Sequence, residues 1–285
     1  MISSISLELV RTRTTDGVLL HGALTGRGSY QGILAVHGAW GNFYGTPVFD
    51  LLEVATDHGL AALSMNNRGH DLGSLGDGEP CIGLSREHFE DALPDLDAAA
   101  SVLMGAGVQQ LICVAHSFGA HKASYWMAER QPPEVSGLVL LSPGPHLRTT
   151  EKWFVEGTLD QYLTLADEAV AQGEPHRLIV LSSTAPVPMV AQASTVLSIW
   201  GHDTLASSEL HLPRISVPVL VTIGEREPAP YRARAETVAA SALDSELIVL
   251  PDDHYYSRDR AGLIEVILDW TRRHKLLDLH DRAPT

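Results

Sequence analysis

The sequence predicts a doubly wound α/β protein in which a mostly parallel sheet carries helices on both faces. The first observation is a set of continuous apolar runs, which are typical of strands buried on both faces. These runs lie at 32–36, 60–65, 110–115, 137–141, 217–223 and 247–250. The second observation is that helical segments lie between several of these runs, and strands that alternate with helices pair in parallel.

The chain opens with a predicted antiparallel hairpin, in which 5–10 and 18–24 flank a Thr-Asp-Gly turn. After the first apolar run, a helix is expected over roughly 46–58. Pro47 would stand in its first turn, where proline is tolerated, and Gly59 would end it.

Apolar residues recur at helical spacing over about 85–106, which predicts a longer helix. Pro94 lies inside this segment and indicates a kink. Further helices are expected at 117–130 and, closing the chain, at about 259–275.

The regular alternation is interrupted at 146–212, a segment with one amphipathic helix near 157–172 and a stretch rich in Ser, Thr, Pro and Ala. We call residues 146–212 the lid segment and assign the core to 1–145 and 213–285. An insertion above the carboxyl ends of parallel strands is where open α/β sheets bind ligands.

Composition excludes some classes of partner. The net charge of -15 comes from 35 acidic and 20 basic side chains without a clustered basic face, so we expect no nucleic-acid partner. No apolar window approaches the ~20 residues that cross a bilayer, and the first residues lack a secretory signal pattern. Together with two distant cysteines, Cys81 and Cys113, this predicts a cytoplasmic protein without a membrane partner. The oligomeric state is left open, a homo-oligomer included.

A strand-to-helix junction at 114–120 carries the clearest functional motif. Ser117 stands between Ala115 and Gly119, two small residues placed two positions before and after it. This is the pattern of a nucleophile elbow, where the strained backbone leaves no room for large neighbours.

On three motifs the chain resembles the α/β-hydrolase superfamily, and in particular its small-lid esterases and acyl hydrolases. The motifs are this elbow, His37-Gly38 after the strand at 32–36, and the Asn-Arg-Gly turn at 67–69. The resemblance covers roughly residues 18–275 and implies a mostly parallel eight-stranded sheet of the α/β-hydrolase fold. It also implies a nucleophile, an acid and a histidine in that chain order.

The resemblance assigns the nucleophile to Ser117 and the general base to His254, which follows the last strand. A serine hydroxyl needs such a base to become a good nucleophile. The acid is expected at Glu227, three residues after Gly224, with Glu225 as the alternative. Asp252 and Asp253 are too close to His254 in sequence to face its far nitrogen.

Main-chain N–H groups of Ala39 and Phe118 are expected to form the oxyanion hole, with Trp40 as an alternative to Ala39. His37 is interpreted as structural. Aromatic residues suggest an apolar substrate pocket under the lid segment, although each could instead belong to the core of that segment. These residues are Trp40, Phe43, Tyr44, Trp153 and Trp200.

No metal or cofactor motif is present in the sequence. There is no His-Glu-x-x-His or Cys-x-x-Cys, and the glycine-rich stretch at 73–78 matches neither a P-loop nor a dinucleotide fingerprint. We therefore expect a cofactor-free serine hydrolase that cleaves an ester, lactone or thioester of a small, largely apolar substrate through an acyl-enzyme on Ser117. The alternatives are C–C or amide hydrolysis, a non-hydrolytic cyclisation or elimination, and a catalytically silent ligand receptor.

Overall fold

The computed structural model describes residues 6–45, 47–75, 80–144, 158–181 and 189–278. Eight strands form one sheet. They are β1 Glu8–Arg13, β2 Leu19–Thr25, β3 Gln31–Val36, β4 Ala61–Met65, β5 Gln110–His116, β6 Val135–Leu141, β9 Val219–Gly224 and β10 Ser245–Leu250. Their order across the sheet is β1-β2-β4-β3-β5-β6-β9-β10. Strand β2 pairs antiparallel with β1 and β4, and all other pairs are parallel. The predicted fold class and opening hairpin are confirmed.

Helices cover both faces of this sheet. Strands β3 to β6 and β9 are almost wholly apolar and buried, so each face needs its own covering layer. On one face pack α2 Ala92–Gly105, α3 Phe118–Arg130 and α7 Ala229–Ser241, and on the other α1 Asp50–Ala55 and α8 Arg260–Arg273. Two apolar cores result, and the carboxyl ends of the central strands meet at one edge of the sheet.

The lid segment contributes a third apolar cluster above that edge. Its described elements are α4 Leu159–Ala171, the antiparallel pair β7 Leu178–Leu181 and β8 Met189–Gln192, α5 Ala193–Trp200 and α6 Ser208–His211. Leu159, Leu163, Ala166 and Ala169 form the inner face of α4 and pack with α5. The predicted helix near 157–172 is therefore confirmed, whereas the boundary of the lid segment at 145/146 lies outside the described residues.

Two expectations about helices were wrong, and one helix was missed. The first helix begins at Asp50, so Pro47 precedes it, although Gly59 does end this region with a left-handed φ of 73°. The second begins at Ala92, which puts Pro94 in its first turn rather than in the helix interior, and no N–H is needed there. Helix α7, between β9 and β10, was not expected from the sequence; Pro230 lies in its first turn, where proline is tolerated.

None of the helices in the described part of the chain is long and apolar enough to span a bilayer.

Candidate active site

Ser117 lies at the sharp turn between β5 and α3. Its φ of 55° is in the left-handed region, which a non-glycine residue adopts at a cost of roughly 1–3 kcal/mol. A Cβ at Gly119 would lie 2.4 Å from the carbonyl oxygen of His37, so only glycine fits there. The Ser117 N–H donates to Leu141 O at 2.8 Å, which ties the turn to the end of β6.

His254 reaches Ser117 from the loop after β10. The carboxylate of Asp252 accepts main-chain N–H groups from Asp253, Arg258 and Asp259, and these bonds shape the loop. Nε2 of His254 lies 3.1 Å from Ser117 Oγ. Asp252 therefore organises the loop rather than facing the imidazole.

His116 forms a hydrogen bond with the same loop. Burial lowers the pKa of His116 to about 3, so its ring is neutral at pH 7. Its Nε2–H donates to the main-chain oxygen of His254 at 2.8 Å. His116, the residue before Ser117, thus anchors the histidine that faces Ser117.

Glu227 faces the other nitrogen of His254. Its Oε2 lies 2.7 Å from Nδ1 of His254, and the Glu227 side chain is only 1% exposed. Oε1 accepts hydrogen bonds from Ser142 Oγ at 2.6 Å and from Gly224 N–H at 3.0 Å. Glu225 is exposed to solvent. The structure therefore brings Glu227 to the histidine and leaves Glu225 away from it.

The loop after β3 packs directly on the elbow. A Cβ at Gly38 would lie 2.9 Å from Ser117 Cβ. Among the main-chain hydrogen bonds of the described loops, turns and helix ends, none is donated by the N–H of Ala39 or Phe118. Trp40, the residue after Ala39, has a φ of 56°, in the left-handed region.

A comparison with models of known protein families identifies the family of this chain. The family model described as alpha/beta hydrolase family matches residues 33–266. The chain belongs to this family.

Solved structures show the same fold as this hydrolase at low sequence identity. Est1E from Butyrivibrio proteoclasticus with ferulic acid bound is 17% identical, with a TM-score of 0.70 over 91% of this chain and 97% of that one. A Pyrococcus furiosus esterase is 16% identical, with a TM-score of 0.63 and coverages of 94% and 91%. A Paleococcus ferrophilus monoacylglycerol lipase is 17% identical, with a TM-score of 0.63 and coverages of 90% and 99%. No curated protein matches the chain in sequence.

The aromatic residues expected to line a pocket in this hydrolase separate into different places. Trp200, 9% exposed, belongs to the apolar cluster of the lid segment, and Trp40 and Phe118 pack against that cluster. Phe43 instead packs on the sheet face covered by α1 and α8, and Tyr44 is 60% exposed beside it. The N–H of Phe43 donates to Asn66 Oδ1 at 2.7 Å, which ties this part of the loop to the residue after β4. Trp153 lies outside the described residues.

Two tyrosines near the histidine had no sequence signal. Tyr231 of α7 packs edge-on against His254 with ring centroids 5.1 Å apart, and Tyr255 does so at the same distance. Tyr231 was missed because its helix was missed.

Within the described ranges, no three or more His, Cys, Asp or Glu side chains are grouped so that they could hold a metal ion.

Proposed function

We propose that this protein is a serine hydrolase that cleaves an ester through an acyl-enzyme on Ser117. One observation carries the proposal, namely the continuous line of contacts from Ser117 Oγ to His254 Nε2 at 3.1 Å and from His254 Nδ1 to Glu227 Oε2 at 2.7 Å. A nucleophile, a base within reach of it and a third group that orients the base are the parts that nucleophilic acyl transfer needs.

The first half of the reaction forms the acyl-enzyme. Ser117 Oγ attacks the carbonyl carbon while its proton passes to His254 Nε2, and Glu227 stabilises the imidazolium. The N–H groups of Ala39 and Phe118 receive the oxygen that becomes negative, and the N-terminus of α3 adds its positive dipole end. Each donor contributes roughly 3 kcal/mol of barrier lowering.

The second half releases the acid. The tetrahedral species collapses, the C–O bond to the leaving group breaks, and the leaving oxygen takes the proton from His254. Water then attacks the acyl carbon, gives its proton to the same nitrogen, and Ser117 leaves as the restored hydroxyl. The reaction consumes one water and needs no cofactor.

The substrate class is an ester, lactone or thioester with a small and largely apolar acyl part. Phe118 directly follows Ser117, and both Phe118 and Trp40 pack on the apolar cluster of the lid segment, so aromatic surface lies next to the reacting serine. Among the similar structures, one is an esterase with ferulic acid bound and another a monoacylglycerol lipase. Both names fit acyl transfer from an ester.

The test is active-site labelling together with turnover. A fluorophosphonate probe should label the purified protein at Ser117, and peptide mapping should locate the adduct. Ser117→Ala should abolish labelling and lower hydrolysis of p-nitrophenyl esters by several orders of magnitude without changing the melting temperature by more than a few degrees. A folded protein that neither reacts with the probe nor cleaves any ester would contradict the proposal and favour a ligand receptor.

A further inference from the structure

We propose that Ser142 and Tyr256 are positioning residues that act through Glu227. They belong to a buried series of hydrogen bonds in which each hydroxyl donates toward Glu227. The inference deepens the proposed function and rests on the acid role assigned to Glu227 there. Neither residue touches Ser117 or His254 with its side chain through any described hydrogen bond.

The chain of contacts is continuous across three elements. Ser142, directly after β6, lies 2.6 Å from Glu227 Oε1 through its hydroxyl. The same hydroxyl lies 2.7 Å from the phenol oxygen of Tyr256, which in turn lies 2.6 Å from Thr222 Oγ1 on β9. Ser142, Thr222 and Tyr256 are each fully buried.

Chemistry sets the direction of every proton in this chain. A carboxylate only accepts, so Ser142 donates its single proton to Glu227. The contact between Ser142 and Tyr256 must then be a donation from Tyr256, and Thr222 must donate to Tyr256. Burial raises the pKa of Tyr256, which keeps its phenol protonated and able to donate.

Backbone strain marks two members of the chain independently. Ser142 has a φ of 46° and Tyr256 a φ of 51°, both in the left-handed region. Residues other than glycine adopt such conformations at a cost in energy, and the conformations persist where the surrounding structure imposes them. Both residues of the hydrogen-bonded pair Ser142–Tyr256 therefore have strained backbone.

The hydrogen bonds to Oε1 restrict the flexible side chain of Glu227. The long side chain of Glu227 has one more rotatable bond than aspartate, so its two oxygens need separate anchors. Gly224 N–H and Ser142 hold Oε1, and Oε2 is thereby left in line with His254 Nδ1. Tyr256 fixes the rotor of the Ser142 hydroxyl, which could otherwise turn to another acceptor.

A double-mutant cycle tests whether Ser142 acts through Glu227. Ser142→Ala should lower kcat by roughly 10- to 100-fold with little change in KM, as expected for a lost hydrogen bond to a charged group. Tyr256→Phe, which keeps the ring, should lower kcat by roughly 3- to 10-fold. In a Glu227→Gln background, Ser142→Ala should have almost no further effect on kcat. Additive effects of the two changes would overturn the proposal.

A matched control separates positioning from loss of stability. Thr271 on α8 is also fully buried and donates its hydroxyl to Ile267 O at 2.8 Å, within its own helix. Thr271→Val should lower the melting temperature by about as much as Ser142→Ala and leave kcat unchanged. Equal losses of kcat in the two variants would show a merely structural role.

A spectroscopic measurement keeps the inference independent of turnover. The proton on His254 Nδ1, shared with Glu227, should give a far-downfield proton resonance that disappears in Glu227→Gln. Ser142→Ala should move this resonance upfield, whereas Thr271→Val should not. An unchanged resonance in Ser142→Ala would overturn the inference, while absent ester hydrolysis with the expected resonance shifts would overturn only the proposed function.

Discussion

Nδ1 of His37 lies 2.8 Å from the carbonyl oxygen of Gly38, and the peptide group that carries this oxygen also carries the N–H of Ala39. Gly41 N–H donates to the same oxygen at 3.1 Å. In a trans peptide the C=O and N–H bonds point in opposite directions. The two donors therefore aim the Ala39 N–H away from His37.

The tautomer of His37 is set by a third contact. Asn67 N–H donates to Nε2 of His37 at 3.1 Å, so the ring proton must be on Nδ1. Burial lowers the pKa of His37 to about 3, and the ring stays neutral at pH 7. A neutral ring with this tautomer can donate to Gly38 and accept from Asn67 at once.

His37→Leu should therefore lower kcat more than it raises KM. We expect a loss of roughly 10- to 100-fold in kcat, because an oxyanion donor acts mainly in the transition state. Steady-state kinetics with a p-nitrophenyl ester measure both constants. His58→Leu, at a buried histidine beside α1, is the control and should leave them unchanged. A rise in KM with unchanged kcat would contradict the role of His37.

Replacing the two glutamates of the loop after β9 separates their roles. Glu227→Gln should cut kcat by roughly 10⁴-fold, because glutamine can stabilise the wrong tautomer of His254. Glu225→Gln, at an exposed position, should change kcat less than twofold. Single-turnover kinetics with a chromogenic ester measure the acylation step directly. The reverse ranking would transfer the role to Glu225, and two mild effects would exclude both.

The fold could be predicted because buried parallel strands leave a plain signal. Strands β3 to β6 and β9 are continuous apolar runs, and their order in the chain alternates with helices. Helix α7 left no such signal, since its outer face is charged and its start contains prolines. The pair β7 and β8 was missed because each strand has only four residues.

The sequence predicted the candidate site residues that follow predicted strands, but not those that depend on long-range contacts. Ser117, Glu227 and His254 each follow the end of a strand, and such ends meet at one edge of a parallel sheet. Ser142 and Tyr256 are 114 residues apart in the sequence, and both have a left-handed backbone conformation. No local sequence pattern reveals such a contact. The placement of Phe43 and Tyr44 also depends on a long-range contact, from Asn66.

Trp200 tests whether the apolar cluster of the lid segment is core or pocket. It is 9% exposed among the side chains of α4 and α5, so we expect Trp200→Ala to act as a core truncation that costs roughly 3–5 kcal/mol. The melting temperature should fall, and kcat/KM should fall alike for short and long acyl chains. A selective change between chain lengths would instead place Trp200 in the substrate pocket.

The buried histidine His116 should make the folded protein less stable at acidic pH. Its pKa is lowered from 6.5 to about 3, so below pH 6.5 the unfolded chain binds a proton that the folded protein does not. The free energy of unfolding therefore decreases as the pH falls from 6.5 toward 3, by up to about 1.4 kcal/mol per pH unit. Urea unfolding of His116→Gln between pH 6.5 and 4.5 should show a slope smaller by about this amount. His21→Gln, at an exposed site, is the control, and an unchanged slope in His116→Gln would refute the prediction.

The buried pair Lys122 and Glu87 should tolerate joint replacement better than the loss of the cation alone. Lys122 Nζ lies 2.6 Å from Glu87 Oε2 and 3.0 Å from Asn67 Oδ1, and the two charged side chains are 3% and 1% exposed. Burial raises the pKa of Glu87, and Lys122 opposes this shift. Lys122→Met leaves the Glu87 carboxylate buried without its cation and should destabilise the fold by roughly 3–5 kcal/mol in urea unfolding at pH 7. Adding Glu87→Gln removes the charge at constant volume, which matters because Gly69 packs directly on this carboxylate. The double variant should therefore regain at least half of the loss, and a double variant no more stable than Lys122→Met would refute the electrostatic explanation.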